Sequence, residues 1–232
     1  MSFRFLYPLV DRAGVPSLRF NGTSTYINCG SDAGLDDLPA RGHMTVEAWI
    51  KPASLASSVI FATKGGAYTA GPDGWSFFRG LAVLYGRIYI DHASGNPVKS
   101  GVAVQTWQHV ALYYNSAAQS SRLALNGVWG SAANNPGLTY GSDAAYNLII
   151  GRRNDPYWHY DGAMGWIRIS NNDRLGGIAG TAFTPQPRAK PPDPDADTIL
   201  LYKMDEGAGT SLSDSSGNGN SGTITNGTWI KD

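Results

Sequence analysis

Trp107-Gln108-His109-Val110-Ala111-Leu112-Tyr113-Tyr114, then Arg122-Leu123-Ala124-Leu125-Asn126-Gly127, are the segments that decide the fold class. The first is the strongest strand-like run in the chain, dense in aromatic and apolar residues. The second ends in Asn-Gly, the dipeptide that closes a tight hairpin because both positions tolerate positive φ. Upstream, Met44-Thr45-Val46-Glu47-Ala48-Trp49-Ile50 alternates, with Val46, Ala48 and Ile50 on one side, and Pro52 ends it. Ser17-Leu18-Arg19-Phe20 and Thr25-Tyr26-Ile27 flank another Asn-Gly, Asn21-Gly22, and read as a hairpin.

Further short strand-like runs follow at Val59–Ala62, Trp75–Phe78, Leu81–Tyr85, Arg87–Ile90, Leu148–Ile150, Gly165–Ser170 and Ile199–Met204. Roughly ten short strands separated by turn signals, without a helical period, indicate an all-β sandwich or barrel. Composition agrees. The 232 residues include 29 glycines, and the 18 acidic residues are sixteen Asp and two Glu, Glu47 and Glu206. Asp and Gly favour turns, whereas Glu favours helices.

Several function classes are excluded by composition. A net charge of zero with no basic run argues against nucleic-acid binding. The apolar runs are only a few residues long, which argues against a membrane partner. The single cysteine, Cys29, excludes an intrachain disulfide and any multi-thiolate metal site. The N-terminus lacks an apolar run of signal-peptide length.

Residues 1–16 read as a lead segment and 17–232 as one domain. The Pro-rich stretch 184–197 reads as an extended connector. The residues after it carry too little apolar surface to fold alone, so 198–230 are expected to add strands to the same sandwich.

These segments resemble a known family. Ser17-Leu18-Arg19-Phe20-Asn21-Gly22 with Tyr26-Ile27, Thr45 through Pro52, Trp107-Gln108-His109-Val110-Ala111-Leu112 and Leu123-Ala124-Leu125-Asn126-Gly127 are similar, in that order, to the signature strands of laminin-G-like domains of the concanavalin A-like superfamily. Ile149-Ile150-Gly151 and Gly162 through Ile169 fit its closing strands. Asp205-Glu206-Gly207-Ala208-Gly209-Thr210 and Asp214 through Asn220 look like its acidic glycine-rich loop, which opens the domain in many relatives and comes last here. The resemblance implies a jelly-roll of two stacked antiparallel sheets, with sugar binding, adhesion or assembly as typical roles.

The candidate sites follow from residue chemistry. The Glu-x-Asp-x-x-Glu strand of the glucanase relatives has no counterpart, and no nucleophile or metal motif stands out, so no catalytic residue is expected. His109 is read as a packed or hydrogen-bonded strand histidine. Asp205, Glu206 and Asp214, with Asn218 and Asn220, are oxygen donors in glycine-rich turns and could hold calcium; a solvated turn cluster is the other reading. Arg152, Arg153, Asp155, Tyr157, Trp158, His159, Tyr160 and Asp161 crowd aromatic, cationic and acidic groups into one loop, the composition of a glycan site, of a protein interface, or of an aromatic loop folded over the end of the sandwich. Gly71-Pro72-Asp73-Gly74-Trp75 is read as an adjoining rim, with Trp75 its aromatic contact. Asn21-Gly22-Thr23 and Asn226-Gly227-Thr228 match the glycosylation pattern and are read as turns.

A superfamily that usually works outside cells, in a chain without a secretion signal, leads to the expectation of a non-catalytic protein of a particle surface. A bacteriophage capsid decoration or tail component is its concrete form, with other virion proteins, its own copies or a cell-surface glycan as partners. The alternative is a carbohydrate-binding module or lectin, and a glycoside hydrolase comes third.

Overall fold

The computed structural model describes residues 14–65, 74–89, 97–134 and 140–232. Most of the lead segment and the expected rim residues Gly71, Pro72 and Asp73 lie outside them. Among the described residues no helix is long and apolar enough to cross a membrane. The strands are β1 Pro16–Asn21, β2 Tyr26–Asn28, β3 His43–Pro52, β4 Val59–Gly65, β5 Gly74–Gly80, β6 Val83–Tyr89, β7 Val98–Ser100, β8 Gln108–Asn115, β9 Ser120–Leu125, β10 Val128–Trp129, β11 Ala133–Asn134, β12 Leu148–Ile150, β13 Asp161–Ser170, β14 Thr198–Tyr202, β15 Ser211–Leu212, β16 Gly222–Thr225 and β17 Thr228–Lys231.

They form two antiparallel sheets. The first runs β10-β9-β8-β3-β13-β1-β17, with β11 beside β9 and β14 beside β13; the second runs β15-β16-β2-β12-β4-β5-β6-β7. The facing sides make the core. Phe20, Val46, Ala48, Ile50, Val110, Leu112, Met164 and Ile167 of the first sheet meet Ile27, Phe61, Trp75, Phe77, Leu148 and Ile150 of the second. Alternation along β3 and β8 supplies these inward residues, because successive strand side chains point to opposite faces. Asn126 and Gly127 take φ of 50° and 80°, and Leu125 pairs with Val128, the hairpin geometry that an Asn-Gly dipeptide favours.

The Asn21-Gly22 segment differs from the expected hairpin. β1 pairs with β13 and β17 in one sheet, while β2 pairs with β12 and β16 in the other. Phe20 and Ile27 reach the core from opposite sides, so the intervening residues must cross the sandwich. Asn21 shapes the crossing through its side chain: Oδ1 accepts from the backbone N–H groups of Thr23, Ser24 and Thr25.

The outer face of the first sheet is also covered. Residues 175–190 lie across it as a strap. Val128 bridges to Ala182, Phe183 N–H donates to Gly127 O, and Arg122 Nη1 donates to the carbonyls of Gly177 and Gly180. Trp129, Trp49 and Trp166 donate their indole N–H groups to the carbonyls of Leu175, Gln186 and Pro187. The Pro-rich connector therefore begins as a lid for a second apolar layer of Ala111, Tyr113, Ala124 and Trp129. Beneath it lie Glu47, His109 and Arg168, all buried.

The tail continues the two sheets. β14 pairs with β13, β16 with β2, and β17 with β1.

Candidate functional site

Three chain crossings between the sheets share one end of the sandwich: the turn after β1, the loop from β3 to β4, and the loop from β12 to β13. The register places them together, since Asn21 pairs with Asp161 and Pro52 with Gly162. Between them opens a cavity of about 210 Å³. At about 30 Å³ per water this holds roughly seven waters, the room of one sugar ring rather than a chain.

The walls are polar. Asn21 and Thr23 come from the first crossing, Ser54 and Ser57 from the second, His159 and Asp161 from the third, and Val59 and Arg79 complete the lining. Gly22 lets the first and third crossings approach: its φ is +76°, and a Cβ there would stand 2.9 Å from the Asp161 Cβ.

Arg79 is the unusual member. It is 1% exposed, at the end of β5 on the same strand parity as Trp75 and Phe77. Nη2 donates to Ser54 O at 2.9 Å and Nη1 to Leu81 O, while Nε is buried without a hydrogen-bond partner. Burial draws its pKa down, and the negative charge of Asp161 opposes that shift. His159 Nδ1 is a second buried, unpartnered polar atom of the wall. Leu81 and Trp158, which flank this end, hold φ of 52° and 55°, a left-handed backbone that is costly outside glycine.

The aromatic loop is distributed differently from its composition-based reading. Tyr157 is 64% exposed. Trp158 is half-buried, 5.6 Å from the Phe78 ring, with the Arg153 guanidinium 5.1 Å over it. Arg153 pairs with Asp155 at 2.6 Å, and Arg152 stacks on Tyr26 at 3.9 Å while donating to the carbonyls of Arg153 and Asn154. His159 and Asp161 line the cavity. Asp161 also pairs with Arg19 at 2.7 Å. Tyr160 and Trp75, expected as contact residues, are fully buried in the core; Tyr160 packs against Phe20 and Phe61 and donates to Ala163 O. Trp75 points inward on β5 with Phe77, and Tyr160, just before β13, is packed between Phe20 and Phe61, which removes both from any surface site.

Asp205, Glu206 and Asp214 are not gathered as three ligating side chains. Among the described residues no three His, Cys, Asp or Glu side chains come together to hold a metal. Asp214 is saturated: Oδ1 accepts from Leu201 and Ser216 N–H, and Oδ2 from Asn220 N–H and the Ser216 hydroxyl. Glu206 accepts from Ser213 N–H, and Asp205 is exposed. Asp214 and Glu206 Oε1 satisfy loop backbone instead, while Glu206 Oε2 is buried without a hydrogen-bond partner.

Sequence reading missed Arg79, Ser54, Ser57, Asn21 and Thr23 as wall residues. The available signal was Arg79 itself, an arginine on the inward parity of a strand with Trp75 and Phe77. The hydroxyl residues carried none, because their meeting depends on three crossings distant in sequence.

A family model described as the concanavalin A-like lectin/glucanases superfamily matches residues 21–175. No curated protein matches the chain. Among solved structures, one described as a candidate carbohydrate binding protein from Bacteroides ovatus is similar at a TM-score of 0.67 and 16% identity, covering 94% of this chain and 60% of that one. The CBM40 of the Ruminococcus gnavus IT-sialidase, bound to α2,3-sialyllactose, matches at 0.51 and 12% identity, over 72% of this chain and 100% of that one. Domains LG4-5 of the mouse laminin α1 chain match at 0.51 and 14% identity, over 75% and 48%. These likenesses concern the fold. With a family match over more than half its length and two stacked antiparallel sheets, the chain belongs to the concanavalin A-like lectin/glucanases superfamily.

Proposed function

We propose that this protein binds carbohydrate without hydrolysing it, through the cavity between the three sheet crossings. The observation that carries the reading is the wall chemistry. Hydroxyls of Thr23, Ser54 and Ser57, the Asn21 amide, the Asp161 carboxylate and the Arg79 guanidinium surround a space of one ring. Such groups donate to and accept from sugar hydroxyls, and a few placed polar groups set orientation in small-molecule sites. Similarity to a candidate carbohydrate binding protein and to a sialyllactose-bound CBM40 supports it by fold. Binding without turnover is supported by Glu47, whose carboxylate is committed to Arg168 and His109 beneath the strap. The particle-surface role expected from sequence draws no support from these relatives, and the carbohydrate reading is preferred.

Screening the full chain on a glycan array tests this. Binding to a defined subset of glycans is expected, together with its loss in Ser57→Tyr, which fills the mouth of the cavity from an exposed position. No binding to any glycan, or binding unchanged by the substitution, overturns it.

A further inference from the structure

Three cations of the described residues are fully or nearly fully buried: Lys64, Arg79 and Arg168. Lys64 lies 2.8 Å from Asp36 and 3.8 Å from Asp143, and Arg168 pairs with Glu47. Among the described residues no carboxylate is in ion-pair contact with Arg79. It makes two hydrogen bonds, both to backbone carbonyls, so three of its five N–H donors are left over. A buried charge is unfavourable unless it is paired, and the other two obey that rule. The exception is also the cation that lines the cavity.

The neighbouring charges offset it only in part, from beyond ion-pair contact. Asp161, the acidic wall residue, is held by Arg19 at 2.7 Å. Counting Arg79, Asp161 and Arg19 leaves one positive charge at this end. The second cavity, about 160 Å³ on the other side of the Arg19–Asp161 pair, makes the contrast. Its cations Arg19 and Lys51 are each matched, Lys51 by Asp232 at 2.6 Å. Of these two cavities, the first holds the unmatched charge.

We propose that the cavity selects sugars that carry a carboxylate, and that Arg79 is the residue that reads it. The proposal rests on the carbohydrate reading above and narrows it. A guanidinium presents paired N–H donors that match the two oxygens of a carboxylate. Ring hydroxyls are left the Ser57 hydroxyl, the second Nδ2 hydrogen of Asn21, and the remaining valences of the Thr23 and Ser54 hydroxyls, whose oxygens already bond Asn21 Oδ1 and Ala56 N–H. A neutral sugar leaves the charge unpaired and desolvates it further, so it binds more weakly.

The test is a titration of the full chain, followed by NMR, with glucuronate, N-acetylneuraminate, glucose and acetate. At least one acidic sugar is expected to bind ten-fold or more tighter than glucose, and the comparison of the two acids identifies whether a uronic or a sialic-type carboxylate is taken. Arg79→Gln is expected to erase the preference. Because Arg79 is buried and its replacement could disturb folding, Ser57→Tyr is run in parallel: it is expected to abolish binding of the acidic sugar with an unchanged melting temperature. Equal binding of glucose and both acids overturns the proposal while the carbohydrate reading stands. Acetate binding as tightly as the acidic sugars overturns both. Acidic-sugar binding unaffected by Ser57→Tyr places the site elsewhere and overturns the assignment to Arg79.

Discussion

Glu47 and Arg168 are direct register partners on β3 and β13, and Arg168 Nε donates to Glu47 Oε1 at 2.8 Å on the face of the sheet turned away from the main core. The other oxygen, Oε2, meets His109 Nε2 at 3.0 Å. Trp49, Trp166 and Phe183 surround the His109 ring. The strap removes all three groups from water, which makes their mutual pairing obligatory.

Replacing Glu47 by Ala should therefore destabilise the protein strongly, by about 3–5 kcal/mol, because it leaves a buried guanidinium without its partner. Urea unfolding of the variant measures this. A loss below about 1 kcal/mol, the range of exposed ion pairs, would show that the strap opens to solvent.

Acid should weaken the fold through the same carboxylate. Burial alone would push the Glu47 carboxyl up, but the hydrogen bond with His109 and the charge of Arg168 outweigh it and hold the group below its ordinary value. A carboxyl lowered on folding contributes stability that is present above its unfolded pKa of about 4.3 and is lost as pH falls through the folded value. Asp36, lowered beside Lys64, acts in the same sense, whereas Asp143, raised by burial, opposes them. Melting temperature should fall as pH is lowered from about 5 to about 3, and Glu47→Gln should flatten part of that fall. A parent protein whose melting is level across this range contradicts the assignment.

Trp158→Ala should act on stability. The ring packs on Phe78 and under Arg153 while half-buried. A loss of about 2 kcal/mol is expected, roughly half the cost of truncating a fully buried aromatic. Glycan binding per folded molecule should persist. A variant that melts like the parent but no longer binds would move the site onto this ring.

Chelators should leave the protein unchanged, since the Asp214 carboxylate is occupied by four donors of its own loop. Asp214→Ala should instead cost about 1–3 kcal/mol by orphaning buried N–H groups such as that of Leu201. Differential scanning calorimetry with and without EDTA, on parent and variant, separates the two effects. A melting temperature lowered by EDTA alone would restore a metal to this loop.

The β-sandwich was legible because its information is local. The alternation of Val46, Ala48 and Ile50 and the Asn126-Gly127 turn act within a few residues, and both give the expected geometry. The Asn21-Gly22 crossing misled for the same reason. A turn dipeptide specifies a reversal but not which sheet receives the chain, and that is settled by Phe20 and Ile27 filling opposite walls. The outer-face layer was illegible: nothing near Glu47 in sequence announces that residues 175–190 will cover it. Within the aromatic loop, composition could not separate Tyr157, exposed, from Tyr160, buried three positions later.

The pairing of β1 with β17 has a further consequence. Val15 and Asp232 exchange two backbone hydrogen bonds, each of 3.1 Å, and Arg188 of the strap donates to the carbonyls of both. The described chain thus enters and leaves at one spot, and topologically the sandwich is nearly a closed ring. Such a unit can be spliced into a host polypeptide at a single surface point without stretching it. It can also be recut, by joining Asp232 to Gly14 through a short linker and opening the ring at the exposed Gly217–Gly219 turn, with every strand neighbour preserved.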